Sequence, residues 1–121
     1  MFTFENLEVW QLSRKLVVSV YGIIKNFPPS EHYALCDQIR RSIVSVPSNI
    51  AEGSGRMSVR EKIHFIEIAY GSLMETYCQL LIAVDLKYIT VEQFSEVKLE
   101  FEKTSKLLTG LRAFFTRKIN S

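Results

Sequence analysis

QIRRSIVSVPSNIAEGSGRMSVR, residues 38–60, holds the first decision about the fold. Ile39, Ile43, Val46 and Ile50 recur at steps of three and four, and Leu35 extends the row backwards. That spacing is one face of an α-helix. Pro47 falls inside the row. A proline in a helix interior costs about 3 kcal/mol, because it lacks an amide and crowds the preceding turn. The apolar period nevertheless continues to Ile50, so the reading is a helix kinked near Pro47 rather than ended by it. Gly53 and Gly55 read as the end of that helix, a glycine cap and turn. A phosphate-cradling glycine loop would need a preceding strand and a fuller motif. Ser58 and Glu61 then form an S-x-x-E capping box, which opens the next helix.

That next helix is predicted over 59–86. Ile63, Ile66, Tyr70, Leu73, Tyr77, Leu80 and Val84 form its apolar seam. Beside the seam lie Ala69, Ser72, Thr76, Gln79 and Ala83, small enough to let a neighbouring backbone come near. The helix before it carries a matching row of Gln38, Ser42, Ser45, Asn49 and Glu52, suited to solvent or to close approach. Thr90 and Gln93 make a second capping box, and a fourth helix over 91–118 follows with Phe94, Val97, Phe101, Leu108, Leu111 and Phe115 on its apolar face. Towards the start, Asn6 is the expected cap of a first helix over 7–26, which Pro28 and Pro29 stop. Ser30 is the expected cap of the second helix, over 31–52.

Four helices of roughly 20 to 28 residues, each about 30 to 40 Å long, joined by short connections, are antiparallel neighbours in sequence order. The fold class is all-α, an up-down-up-down four-helix bundle in one domain over residues 1–121. The formal charge of +2 makes no bulk case for nucleic acid, so any such case rests on where the charges sit. No apolar run reaches the ~20 residues of a membrane span. The start, MFTFENLEVW, does not read as a secretory signal. Cys36 and Cys78 form no CxxC motif and fit buried, reduced thiols, so the expected compartment is the cytoplasm.

No constellation of catalytic residues emerges. Glu61 and His64 give one Glu-x-x-His motif, whereas a di-iron bundle needs two of them and two further inward glutamates. No cofactor or metal is expected, and a metal-dependent enzyme is the remotest reading. Charge placement says more. The bundle end that holds the 53–57 turn gathers Arg56, Arg60, Lys62, Arg112, Arg117 and Lys118, a candidate nucleic-acid contact. Helix dipoles account for Arg117 and Lys118, but not for three cations around a helix start. Phe114 and Phe115 fall on apolar rows there and read as core, so base stacking is not expected. Gln38, Arg40, Arg41, Asn49 and Glu75 form the expected polar network between the second and third helices, with Glu75 bonded to Gln38 or an arginine. The first helix has two apolar rows where an outer helix needs one. Its second row, Trp10, Val17, Tyr21 and Ile24, is the candidate oligomer interface.

Four places carry a family resemblance. They are Phe4-x-x-Leu7 with Val9-Trp10-Gln11, the run 35–41, SVPSNIAEG at 45–53 with Gly55-Arg56, and Ala69-Tyr70-Gly71-Ser72-Leu73-x-Glu75. In order and spacing the chain resembles the small bacterial four-helix-bundle proteins encoded within intervening sequences of 23S ribosomal RNA genes. The resemblance implies an antiparallel bundle that assembles with itself, with a homopentamer favoured. It also implies kinship with an accessory protein of diversity-generating retroelements, which binds a reverse transcriptase and nucleic acid. The expectation is a non-enzymatic accessory or adaptor whose basic end contacts RNA or DNA. The alternative is a scaffold whose partners are proteins only. Neither reading involves a membrane.

Overall fold

The computed structural model describes residues 1–120. Among these residues there are four α-helices and no strand: α1 (Glu8–Ile24), α2 (Leu35–Ser54), α3 (Val59–Asp85) and α4 (Val91–Asn120). Each helix packs on two neighbours, α1 on α2 and α4, α3 on α2 and α4, with no close backbone approach across the diagonals. Cross-contacts run in opposite senses. Ser42 and Ser45 of α2 meet Thr76 and Ser72 of α3, while Tyr77 and Glu67 of α3 meet Phe94 and Arg112 of α4. Neighbours are therefore antiparallel, and the architecture is a four-helix bundle.

Local chemistry explains two of the starts. Ser58 Oγ accepts from the Glu61 amide at 3.0 Å. Thr90 and Gln93 bond reciprocally, the Gln93 amide to Thr90 Oγ1 at 3.0 Å and the Thr90 amide to Gln93 Oε1 at 2.9 Å. Each bond satisfies an amide that the first helical turn leaves without a partner. The two earlier starts differ from expectation. Asn6 ends a 3-10 turn, Thr3–Asn6, so Leu7 becomes the N-cap of α1 with no side-chain bond. Ser30 lies within a second 3-10 turn, Pro29–Glu31, and α2 begins only at Leu35. In both places the preceding chain turns once on its own before the helix axis is set.

Pro47 sits inside α2 without ending it. Asn49 Nδ2 donates to both Ser45 O and Ser45 Oγ at 2.8 Å just beyond it. Gly53 does not end α2 either; it is buried inside the last turn. A Cβ there would lie 2.8 Å from Phe65 Cβ, so this glycine permits close crossing of α2 and α3. Gly55 is the C-cap, with an ordinary right-handed φ of −84°.

The core is formed by Val9, Leu16, Val20 and Ile24 of α1, Ile39, Ile43, Val46 and Ile50 of α2, Ile66, Leu73 and Leu80 of α3, and Val97, Phe101 and Leu108 of α4. On α3 the buried row is not only the expected seam. Ala69, Thr76, Gln79 and Ala83 are buried, whereas Tyr70 of the seam is exposed. The small row faces α2, and its hydroxyls meet the small row of that helix. Cys36 is buried as expected, but Cys78 is exposed. No described helix is long and apolar enough to cross a membrane.

Candidate nucleic-acid interface

The end of α2, the turn after it, the start of α3 and the end of α4 converge at one end of the bundle. The Gly53–Phe65 approach fixes the α2–α3 crossing there. The six basic residues differ in what they do. Arg56 lies 4.7 Å from the Phe65 ring centroid and pairs with Glu52 at 2.9 Å. Arg112 donates from Nε and Nη2 to Glu67 Oε2, at 3.3 and 3.1 Å. Lys62 Nζ donates to Ser54 O at 3.0 Å and so closes the turn. Lys118 Nζ lies 4.6 Å from the Phe114 centroid. Arg60 and Arg117 are exposed and, among the described residues, in no ion pair. Two of these cations are thus paired with acids of the same chain, Glu52 and Glu67.

Two of the six, Lys62 and Lys118, reach a cavity of about 290 Å³ walled by Ile66, Leu111, Phe114 and Phe115. Phe115 packs partly against the core as expected, but Phe114 does not. Phe114 is 45% exposed, because the bundle has no further helix to cover the last turns of α4. Only tertiary structure could show this, since the apolar period of α4 runs on past the point where its partners end.

The expected polar network is differently composed. Glu75 is exposed and bonded to neither Gln38 nor an arginine; its oxygen accepts from Gln79 Nε2, one turn along the same helix, at 3.3 Å. Gln79 in turn accepts from Ser42 Oγ at 2.9 Å. Gln38 is exposed, Arg40 donates to His32 O at 2.7 Å, and Arg41 pairs with Asp37 at 3.2 Å, all away from Glu75. Asn49 bonds within α2. The polar side chains that join these two helices here are Ser42, Ser45, Ser72, Thr76 and Gln79. Their signal was present as two small-residue rows of equal spacing.

The candidate interface on α1 is also divided. Ile24 is 4% exposed and belongs to the core, which removes it from any surface role. Trp10 and Val17 pack partly against the core, and Tyr21 is exposed. The apolar surface that sequence reasoning missed is on α3, where Ile68, Met74, Leu81 and Ile82 are exposed on the side away from the core. His64 is exposed and packs edge-on against Phe65. Among the described residues no group of three or more His, Cys, Asp or Glu converges.

At the opposite end a larger hollow of about 580 Å³ lies beneath the 25–36 connection, touching Tyr21, Lys25, His32, Tyr33, Cys36 and Arg40. Burial pushes the Cys36 thiol up from its ordinary range; Arg40 opposes this and the Glu31 carboxylate adds to it. Burial likewise raises the Tyr88 phenol, followed by the charge of Glu31 and the hydrogen bond to it.

The sequence matches the 23S rRNA-intervening sequence protein family over residues 5–110, nearly the whole bundle. The chain belongs to that family. The crystal structure of a protein of unknown function from the S23 ribosomal protein family of Bacteroides thetaiotaomicron VPI-5482 has the same fold. It superposes with a TM-score of 0.76 at 26% identity, covering 86% of this chain and 97% of that one. No curated protein matches the chain.

Proposed function

We propose that this intervening-sequence protein is a non-enzymatic accessory protein that works in the cytoplasm as a homo-oligomer and holds nucleic-acid phosphates at its basic end. The observation that supports the reading is that Lys62 and Lys118 reach one cavity at this end, with Arg60 in the first turn of α3 and Arg117 in the last turn of α4. The pairing of Arg56 and Arg112 with exposed glutamates is of the surface kind, worth about 0–1 kcal/mol, and a phosphate can compete for either. Phosphate contacts release counterions, so affinity falls steeply with salt and is indifferent to sequence.

Self-association is supported by Ile68, Met74, Leu81 and Ile82, apolar side chains part-exposed on the outer side of α3 among Glu67, Glu75 and Cys78. Five subunits is the count the family resemblance implies, and a ring would repeat each weak basic patch around one rim. The same α3 face also favours the second reading, a scaffold that binds only proteins. Titration of single-stranded and structured RNA at low and physiological salt separates the two. The parent should bind at low salt with a steep salt slope, and Arg60→Glu with Arg117→Glu should reduce both. Absence of binding at low salt would leave the scaffold.

A further inference from the structure

We infer that the apolar cavity at the basic end accepts one unpaired nucleobase, so that the site selects single strands over duplex. This rests on the phosphate-binding reading above and adds a ligand class to it. The cavity sets cationic and aromatic groups around one space: Lys62 and Lys118 with Phe114 and Phe115, over Ile66 and Leu111. A ligand that satisfies all of these groups is anionic at one end and flat and apolar at the other.

Size narrows the class. At about 290 Å³ the cavity lies at the lower edge of the roughly 300–1,000 Å³ typical of ligand pockets, room for a single ring system. The two phenyl rings meet edge to face at 5.2 Å and 70°, and Phe114 is partly exposed. Lys118 already rests over that ring, 4.6 Å from its centroid. A base arriving there takes the ring face by stacking, and the ammonium moves outward to the phosphate that the base brings. Lys62 spends one of its three N–H donors on Ser54 O and keeps the others for a phosphate oxygen. Bases within a duplex are stacked on one another and cannot enter; bases of a single strand can.

The test compares a thymidine strand of about ten nucleotides with a strand of equal length made of abasic sites, which keeps the phosphates and removes the bases. Fluorescence anisotropy at low salt should show the thymidine strand binding on the order of tenfold more tightly. Phe114→Ala should bring that ratio close to one while the abasic affinity and salt slope stay put. Equal binding of the two strands to the parent protein overturns the inference and leaves phosphate binding standing. Failure of both strands to bind overturns both. Should circular dichroism show that Phe114→Ala is unfolded, Phe114→Leu keeps apolar bulk without a flat face, and an unchanged ratio in that variant also overturns the inference.

Discussion

The hydroxyls of Ser42 and Thr76 lie 2.6 Å apart, both buried, at the middle of the α2–α3 contact. Ser42 also donates to Gln79 Oε1, so the single proton of the Thr76 hydroxyl serves Ser42 Oγ. A buried polar group left without a partner costs about 1–3 kcal/mol, whereas removing both partners together is far milder. Ser42→Ala should therefore destabilise by about 1–3 kcal/mol, since it leaves Gln79 Oε1 bare. Ser42→Ala with Thr76→Val should cost less than the two single changes added. Denaturant unfolding of all four proteins reads the coupling, and strict additivity would refute it.

Gly53 gives a case where helix propensity and packing oppose each other. Alanine is favoured over glycine in a helix by about 1 kcal/mol. At Gly53, however, the added carbon meets Phe65 Cβ at 2.8 Å, and neither helix can yield without moving the crossing. Gly53→Ala should lose about 1–3 kcal/mol. Gly110 has nothing within 4 Å of its added carbon, so Gly110→Ala should gain about 0.5–1 kcal/mol. Thermal melts of the two variants should move in opposite directions.

Lys87 ends α3 in the left-handed region at φ 64°, while the Tyr88 amide reaches back to Ala83 O at 2.9 Å. A side chain in that conformation costs about 1–2 kcal/mol, which glycine avoids. Lys87→Gly should raise the unfolding free energy by about 1 kcal/mol. A loss of stability would mean that the lysine side chain contributes more than its backbone costs.

Alkaline pH should weaken the fold through the 25–36 connection. Burial raises the Cys36 thiol above its ordinary 9.0 and the Tyr88 phenol above its ordinary 10.0. The unfolded chain then releases these protons first, so their contribution is whole below about pH 9 and is lost as pH rises through the folded values. Stability measured by denaturant should fall as the pH rises above about 9, and Cys36→Ala should flatten part of the slope. In the native protein at neutral pH, a thiol reagent should label exposed Cys78 quickly and Cys36 slowly.

The α3 face can be tested by charge. Ile82→Glu places a carboxylate among exposed apolar neighbours and should leave the fold intact while breaking self-association. Val18→Glu, on α1 at 71% exposure, is the matched control. Light scattering should give a mass near 14.0 kDa for the first variant and the parent assembly for the second. A parent protein that is already a 14.0 kDa monomer would remove the oligomer reading altogether.

The sequence by itself determined the helices and their order. Capping at Ser58 and Thr90 is a bond across three residues, complete before any tertiary contact exists, so its signature is local and legible. Apolar spacing likewise shows that a face exists, and Pro47 could be read through because the period continued past it. Adjacent rows on a helix differ by only about one residue's rotation, near 100°, and spacing cannot tell which of them faces inward. That choice was tertiary: packing turned Ile24 into the core, set Thr76 rather than Tyr70 against α2, and left Glu75 to Gln79. Gly53 belonged to this class too, since what demands its missing side chain is Phe65 on another helix. So did the cavity beneath Phe114, because only the relative ends of four helices decide which apolar turns remain uncovered.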